Sequence, residues 1–266
     1  MFNFFQKKII CGILNITPDS FSDGGLYNTL PKALKRAEEM IDEGASWIDI
    51  GGQSSRPFSE PISEEEELNR ILPVISGVKK LKKDIIISVD TYYPVVADRA
   101  IEAGADIIND ITGVRNQNMA DIILKRRKPV VIMHMKGTPR DMQVNPYYDD
   151  LIGEIYEFFY DRIRFLNSKG FRDIILDPGI GFGKTVEHNI LILKNLKQFR
   201  RLGYPIMIGP SRKSFIGSIC GEKDPKKRVS GTIATCLFCY DSADIFRVHD
   251  VYDLRQAFSI FEELKK

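Results

Sequence analysis

The chain is poor in the residue types that build metal centres and disulfide scaffolds. Its 266 residues include four cysteines, three histidines and one tryptophan. Cys236 and Cys239 lie close together, but no second pair and no nearby histidine completes a zinc site, so we expect core thiols in a reducing cytosol. The histidines follow no zinc spacing and no Ser-His-Asp pattern. Disulfide-stabilised and zinc-dependent classes are therefore disfavoured.

Long apolar runs and a strong net charge are also missing. No stretch approaches the ~18 apolar residues of a membrane span, and the apolar start from Phe2 to Phe5 is too short for a secretory leader. With 38 basic and 36 acidic residues the net charge is +2, which does not indicate nucleic-acid binding. We therefore expect a cytoplasmic protein with no membrane partner and no nucleic-acid partner.

The sequence instead alternates apolar strand-like runs with amphipathic helix-like stretches. Such alternation predicts parallel strands joined by helical crossovers, and nearly continuous apolar runs are typical of strands buried on both faces. The predicted strands are Ile9–Leu14, Trp47–Ile50, Ile85–Val89, Asp106–Ile108, Pro129–Met133, Asp173–Leu176, Pro205–Ile208 and Asp244–Val248. Because a (β/α)8 barrel takes ~250 residues, we predict an α/β fold in which residues 1–266 form a single TIM-barrel domain.

Polar residues recur where the predicted strands end, and the carboxyl ends of barrel strands form the catalytic face. Asp90, Asn109 and Asp177 would line one cup, which suits a planar heterocycle with N–H donors and ring acceptors. Each of these residues alone could instead cap a helix. His134 also ends a strand, where it is more simply interpreted as a structural hydrogen-bonding residue.

A phosphorylated ligand is indicated by the last two strand ends. The segment Ser211–Ser214 follows the seventh strand and could open a helix that holds an anion, although a solvated cluster explains it equally well. Arg247 and His249 lie on the same side of the eighth strand, next to the usual phosphate region of barrels. The glycine-rich segment Gly179–Thr185 fails the spacing of phosphate loops, so it predicts a tight turn.

Two connections after strands are unusually long and carry glycine, proline, serine and aspartate. They are the first loop, Thr17–Gly25, and the second loop, Gly51–Glu60. Long mobile loops above a barrel mouth usually close over substrate. We therefore expect loops after strands 1 and 2 that are mobile and close on ligand binding.

Several segments together closely resemble the signatures of the dihydropteroate synthase family of pterin-binding enzymes. They follow the order of the family and span nearly the whole chain, from Ile9 to about Leu264. They are Gly12–Gly25, Asp49–Pro57, Ser88–Thr91, Ile108–Asp110, Met133–Met135, Asp177–Lys184, Ser211–Ser214 and Arg247–Asp250. The first of these is long and highly specific.

The resemblance implies a reaction, a cofactor and an assembly. Members of the family join (7,8-dihydropterin-6-yl)methyl diphosphate to p-aminobenzoate and release pyrophosphate in folate biosynthesis. Mg²⁺ is the implied cofactor, and its preference for oxygen donors and substrate phosphates fits an asparagine ligand. The implied partners are these small molecules and a second copy of the chain in a homodimer.

The resemblance also implies roles for individual residues. Asn15 would ligate Mg²⁺, and the catalytic residues would be Lys213, Asp90 and Arg247. The implied substrate-binding set comprises Asp90, Asn109, Asp177 and Lys213 for the pterin, Arg247, His249 and Ser55 for the diphosphate, and Phe21, Arg56, Pro57, Lys213 and Ser214 for the aminobenzoate.

The second loop departs from the family pattern, which usually reads Glu-Ser-Thr-Arg-Pro. Here it reads Gln53-Ser-Ser-Arg-Pro57, so a charge and a methyl group are lost. We expect activity to survive and the affinity for aminobenzoate or sulfonamides to shift. One alternative is a pterin-binding methyltransferase domain, but a folate methyl donor needs no diphosphate site. The other is a non-catalytic pterin-binding subunit, against which the intact Asn15, Lys213, Arg247 and His249 argue.

Overall fold

Parallel strands arranged in a ring form the centre of the molecule, in a computed structural model that describes residues 8–17, 29–55 and 58–266. The strands are β1 (Ile9–Asn15), β2 (Trp47–Gly51), β3 (Ile86–Asp90), β4 (Ile107–Asp110), β5 (Val130–Met133), β6 (Ile174–Asp177), β7 (Met207–Ile208) and β8 (Ile245–Val248). They pair in the order β6-β5-β4-β3-β2-β1-β8-β7, and a bridge between Leu176 and Ile206 joins the two outer strands. The predicted (β/α)8 barrel is confirmed, with strand limits at most two residues from those predicted.

Helices surround the barrel and bury one face each against it. In the described ranges they are α1 (Thr29–Asp42), α2 (Glu64–Leu81), α3 (Pro94–Glu102), α4 (Gln117–Arg126), α5 (Leu151–Ser168), α6 (Val186–Phe199), α7 (Ser214–Cys220), α8 (Val229–Phe238) and α9 (Val251–Leu264). Ser63 caps α2 as its sequence predicts, because its hydroxyl accepts a hydrogen bond from the Glu66 N–H at 3.1 Å. The short α7 confirms that a helix opens after β7.

The barrel interior changes from apolar to polar along the strands. Alternate residues of each strand point inwards. The apolar layer consists of Cys11, Trp47, Ile107, Val131, Ile175, Met207 and Ile245. Two residues beyond this layer in β2, β4 and β8 lie the polar residues Asp49, Asn109 and Arg247. In β3, Ser88 lies two residues beyond Ile86, which packs against the layer. The polar side chains are therefore collected at the mouth.

The main core lies between the strands and the surrounding helices. Ile48 and Ile50, which alternate with the inward residues of β2, are fully buried in it. Cys236 and Cys239 are buried and unpaired, as expected for core thiols. In the part of the chain that the structure describes, no helix is long and apolar enough to cross a membrane.

Candidate active site

The centre of the mouth is an arginine held by two carboxylates. The Arg247 Nε donates to Asp49 Oδ2 at 2.6 Å, and its Nη2 donates to Asp90 Oδ2 at 2.8 Å. The three side chains come from β8, β2 and β3, so the contacts depend on barrel closure. The Arg247 side chain is only 15% exposed, which strengthens both ion pairs. Its Nη1 takes no part in these two contacts.

Asp49 is not among the site residues predicted from the sequence, yet its carboxylate holds Arg247. Besides Arg247, its carboxylate accepts hydrogen bonds from Asn109 Nδ2 at 3.2 Å and from the Ser88 hydroxyl. Ser88 in turn accepts from the indole N–H of Trp47 at 2.7 Å. An aspartate inside the otherwise apolar run of β2 was the available signal, because a carboxylate buried there needs a partner.

Burial and neighbouring charges together determine the pKa values of the ionisable groups in this cluster. Desolvation by burial raises the pKa of Asp90, and the neighbouring Asp49 adds to the rise, while Arg247 and Lys213 oppose it. Burial alone would lower the pKa of Arg247, but Asp49 and Asp90 outweigh it and keep the guanidinium charged. The cluster is therefore a buried cation flanked by two acids rather than a solvated ion pair.

A small cavity, partly open to solvent, adjoins the cluster. Carboxylates and an amide line it together with cationic and apolar side chains, which suits a flat polar ligand. The lining residues are Asp90, Asn109, Ile111, Met133, Asp177, Gly179, Ile180, Phe182, Gly209, Lys213 and Arg247. The three strand-end residues predicted to share one cup, Asp90, Asn109 and Asp177, do line the same cavity.

Asp177, the last residue of β6, and Lys213, which directly precedes α7, both line this cavity. One oxygen of Asp177, Oδ1, accepts a hydrogen bond from the Gly179 N–H at 2.7 Å, so the residue does cap the turn after β6. The Lys213 ammonium lies 3.9 Å from the centroid of the Phe182 ring and donates no hydrogen bond within the described ranges. Burial and the nearby Arg247 lower the pKa of Lys213 to about 7, and burial also raises the pKa of Asp177.

The glycine-rich segment after β6 forms a tight turn, as predicted. Gly179 and Gly181 have φ angles of 70° and 81°, and a Cβ at Gly179 would lie 2.0 Å from the His134 carbonyl oxygen. The Lys184 ammonium fastens the turn by donating to the carbonyls of Phe182 at 2.8 Å and His134 at 3.2 Å. His134 is buried and its pKa is lowered to about 2, first by desolvation and then by Lys184. The burial of His134 in this turn supports its interpretation as a structural hydrogen-bonding residue.

The other histidine at the mouth, His249, is fixed by Ser211. The Ser211 hydroxyl accepts from the His249 backbone N–H at 3.1 Å and lies 2.9 Å from the ring Nδ1. Arg212, in contrast, does not serve an anion site: its guanidinium makes a bidentate ion pair with Asp250, while its backbone has a φ angle of 57°.

The remaining predicted site residues are distributed around the mouth. Asn15 ends β1 opposite Gly51, is partly exposed and makes no side-chain hydrogen bond within the described ranges. Ser55 is partly exposed, and Ser214 is exposed at the first turn of α7. Phe21, Arg56 and Pro57 lie outside the described residues, as does most of the first loop.

The second loop is tied at its base by the residue that departs from the family pattern. Gln53 donates from its amide nitrogen to the Tyr92 hydroxyl and accepts from the Ile62 N–H at 3.2 Å. An ionised glutamate could accept but not donate, so the amide fits both contacts. Further along the loop, the Phe58 N–H donates to the Pro139 carbonyl after β5 at 2.9 Å.

Taken together, the barrel and its polar mouth define an enzyme whose site lies at the carboxyl ends of the strands. Comparison with known proteins supports this class. Residues 11–249 match the family model described as pterin binding enzyme. A dihydropteroate synthase of Synechocystis is 46% identical over 99% of this chain and 92% of its own length.

Solved structures agree with these sequence matches. The Xanthomonas albilineans dihydropteroate synthase with 4-aminobenzoic acid is 37% identical, with a TM-score of 0.92, over 98% of this chain and 94% of that one. The same enzyme in complex with 7,8-dihydropteroate is 35% identical, with a TM-score of 0.90, over 99% and 95% of the two chains. The present chain belongs to the pterin-binding enzyme family and, within it, to the dihydropteroate synthases.

Proposed function

We propose that the protein is a transferase that joins (7,8-dihydropterin-6-yl)methyl diphosphate to p-aminobenzoate, giving 7,8-dihydropteroate and pyrophosphate for folate biosynthesis. The observation that carries this proposal is the convergence of Asp90, Asn109, Asp177, Lys213 and Arg247 on one cavity at the mouth. Related chains crystallised with 4-aminobenzoic acid and with 7,8-dihydropteroate support both the acceptor and the product.

The pterin ring is assigned to the acidic side of the cavity. A pterin edge carries N–H donors, and Asp177 has one oxygen occupied by Gly179 and a second that can accept from the ring. Asn109 donates to Asp49, which leaves its carbonyl oxygen as an acceptor. Asp90 borders the same cavity while Arg247 holds one of its oxygens. The amide and carboxylates thus match the donor and acceptor pattern of the ring.

The diphosphate is assigned to the side of β8. Arg247 donates to carboxylates through Nε and Nη2, so its Nη1 and the positive charge remain directed at an anion. The Ser211 hydroxyl already accepts from a backbone N–H, so its own hydrogen can donate to Nδ1 of His249. This favours the tautomer with the proton on Nε2, which can donate to a phosphate oxygen. Ser55 of the second loop is assigned to the diphosphate as well.

Asn15 fits the Mg²⁺ ion that the family implies. Its amide makes no side-chain hydrogen bond within the described ranges and stands at the mouth on β1, next to β8. Mg²⁺ commonly takes one or two protein oxygens plus substrate phosphates and water. Among the described residues no group of three or more His, Cys, Asp or Glu could hold a metal ion. When bound, the ion would neutralise charge on the leaving diphosphate.

The proposed reaction follows from these positions of the pterin, the diphosphate and Mg²⁺. The C–O bond between the pterin methylene and the diphosphate breaks with its electron pair on the diphosphate, and the amine lone pair forms the new C–N bond. The amine then loses one proton to solvent. Arg247 stabilises negative charge on the leaving group, whereas Asp90 and Asp177 stabilise positive charge on the pterinylmethyl group. The aromatic amine is a neutral nucleophile, so a strong general base is unnecessary.

The aminobenzoate is assigned to the space between Lys213, Ser214 and the two long loops. Lys213 lies over Phe182 at the edge of the pterin cavity, where its charge can reach both substrates. Phe21, Arg56 and Pro57 complete this site in the proposal, since the loops that carry them follow β1 and β2. Closure of both loops would exclude water from the reacting carbon.

We also propose a single-domain, cytoplasmic homodimer. All described strands belong to one sheet, which supports a single domain. Apolar side chains on α7, α8 and α9 are exposed, namely Ile219, Phe238, Ile260 and Leu264. Exposed apolar surface of this kind favours a protein–protein contact.

The experiment that tests this function is pyrophosphate release from the pterin diphosphate with and without p-aminobenzoate. Release that requires the amine, with 7,8-dihydropteroate formed in equal amount, is expected. Full activity in excess chelator would remove Mg²⁺ from the proposal. No product under any metal condition would favour a non-catalytic pterin-binding subunit.

A further inference from the structure

A buried acid outside the substrate cavity has no role in the proposed chemistry. Glu67 of α2 is 1% exposed, and its Oε1 has no hydrogen-bond partner within the described chain. It is the one buried side-chain oxygen of the described residues left in this state. A buried polar atom without a hydrogen-bond partner lowers the stability of the fold, and such an atom in a native protein points to a functional role.

Glu67 is linked to Asp90 through one hydroxyl. The Thr91 Oγ accepts from the Tyr93 N–H at 3.2 Å, which directs its own hydrogen to Glu67 Oε2 at 3.1 Å. Thr91 directly follows Asp90, the residue that pairs with Arg247 and lines the cavity. The turn between β3 and α3 is therefore held by the hydrogen bond from Thr91 to the Glu67 carboxyl.

The same acid supports the base of the second loop. Gly52 packs so closely on α2 that an added Cβ would lie 2.9 Å from Glu67 Cγ. The Arg70 Nη1 donates to the Gly52 carbonyl at 2.8 Å. One turn of α2 thus touches both the Asp90 turn and the start of the second loop.

The surroundings of Glu67 favour its neutral form. A single hydroxyl donor is too little to stabilise a buried carboxylate. Burial raises the pKa of Glu67 to about 8, and the charges of Asp90 and Glu64 add to the rise, while Thr91 and Arg70 oppose it. The other titratable group nearby is Tyr93, whose pKa burial also raises.

We propose that protonated Glu67 is a positioning residue that holds the Asp90 turn and the base of the second loop in the geometry that binds the pterin diphosphate. Ionisation would place a second negative charge beside Asp90 and draw Arg70 away from the Gly52 carbonyl. Both changes displace groups at the mouth, so substrate affinity falls when the proton is lost. The inference rests on the proposed function, because its main readout is turnover.

The test compares Glu67→Gln with Glu67→Ala, and uses Glu65→Gln as a matched control that removes an exposed carboxylate from the same turn of α2. The KM of the pterin diphosphate is measured from about pH 6 to about pH 9.5. At pH 7 we expect Glu67→Gln to stay within about threefold of wild type, because the amide keeps the acceptor for Thr91, and Glu67→Ala to raise KM at least about tenfold. Above pH 8 the wild-type KM should rise relative to Glu67→Gln by up to about tenfold per pH unit. Titration of Lys213 is common to all variants and cancels in this ratio.

Two outcomes would overturn the inference. They are identical pH profiles for wild type and Glu67→Gln, or equal impairment of Glu67→Gln and Glu67→Ala at pH 7. If the alanine variant does not fold, Thr91→Val replaces it, since it removes the same hydroxyl link. An infrared difference spectrum of wild type against Glu67→Gln gives a readout without turnover, because the protonated carboxyl band should persist at pH 7. An inactive wild type would contradict the proposed function, whereas a missing band would contradict this inference alone.

Discussion

Arg247 and Asp49 come from the two strands that flank β1, and they meet inside the barrel with Nε 2.6 Å from Oδ2. The Asp49 side chain is fully buried, so the guanidinium is fixed in one orientation. The pair therefore determines which nitrogen of Arg247 remains for an anionic ligand.

The first prediction concerns this pair. Asp49→Asn should lower the free energy of unfolding by about 3 kcal/mol, because a buried arginine loses its main counter-charge. It should also reduce kcat/KM, because the guanidinium can then rotate. Urea unfolding and steady-state kinetics measure the two effects.

A matched control is Asp98→Asn, which removes an ion pair with Arg126 on the helical surface. Its effect should stay below about 1 kcal/mol, as is usual for partly exposed pairs. Equal destabilisation by both variants would show that the Asp49–Arg247 pair contributes no more to the free energy of unfolding than a pair on the helical surface.

The second prediction separates the two oxygens of Asp177. In Asp177→Asn the amide oxygen can still accept from the Gly179 N–H, so the turn and the fold should be retained. The second oxygen becomes a donor facing the ring donors of the pterin, which should cost about 1.5–3 kcal/mol of binding. Calorimetry with a free pterin measures the loss, and pyrophosphate binding should be unchanged. An unchanged pterin affinity would reduce Asp177 to a structural cap.

The third prediction distinguishes Arg247→Ala from Lys213→Ala by ligand. Removal of Arg247 should abolish most pyrophosphate binding, because its planar fork matches phosphate oxygens. Removal of Lys213 should mainly weaken pterin binding and lower kcat. Titration of both ligands into both variants provides the measurement, and the reverse pattern would invert the two assignments.

The fourth prediction concerns pH. The pKa of Lys213 is lowered to about 7 by burial, so between pH 7 and the ordinary value of 10.5 the unfolded chain holds a proton that the folded chain lacks. The free energy of unfolding should therefore rise with pH, by up to about 1.4 kcal/mol per pH unit. Lys184 contributes a pH dependence of the same sign to the free energy of unfolding, since its pKa is also lowered to about 7. Lys213→Met should reduce the slope in urea unfolding of the free protein above about pH 8, where Glu67 no longer contributes a slope of opposite sign. An unaltered slope would show that the pKa of Lys213 is not lowered in the folded protein.

The fifth prediction concerns the order of binding. If the first and second loops close only over a bound diphosphate, p-aminobenzoate should bind poorly until Mg²⁺ and pyrophosphate are present. Its affinity should then rise at least about tenfold, because loop ordering is already complete. Calorimetric titration with and without Mg²⁺-pyrophosphate tests this, and equal affinities would indicate a preformed aminobenzoate site.

Local sequence patterns predicted the architecture well. Interactions between neighbouring residues determine the strands, the helix cap at Ser63 and the turn at Gly179. Short segments of sequence were therefore enough to predict these three features. The shared cavity of Asp90, Asn109 and Asp177 also followed, because parallel strands bring their carboxyl ends together.

Contacts between distant residues could not be predicted in this way. The Asp49–Arg247 pair joins positions 198 residues apart and depends on strand register, which no local pattern fixes. The roles of Lys184 and Glu67 likewise depend on which carbonyls or hydroxyls surround them after folding.

The position of Trp47 has a practical consequence. It is the single tryptophan of the chain, and its indole N–H reaches Arg247 through Ser88 and Asp49. An indole excited state responds to the local electric field, so an anion that pairs with that arginine should alter the emission. The protein thus contains an intrinsic fluorophore at the base of its own site, and ligand arrival can be followed in real time without a label.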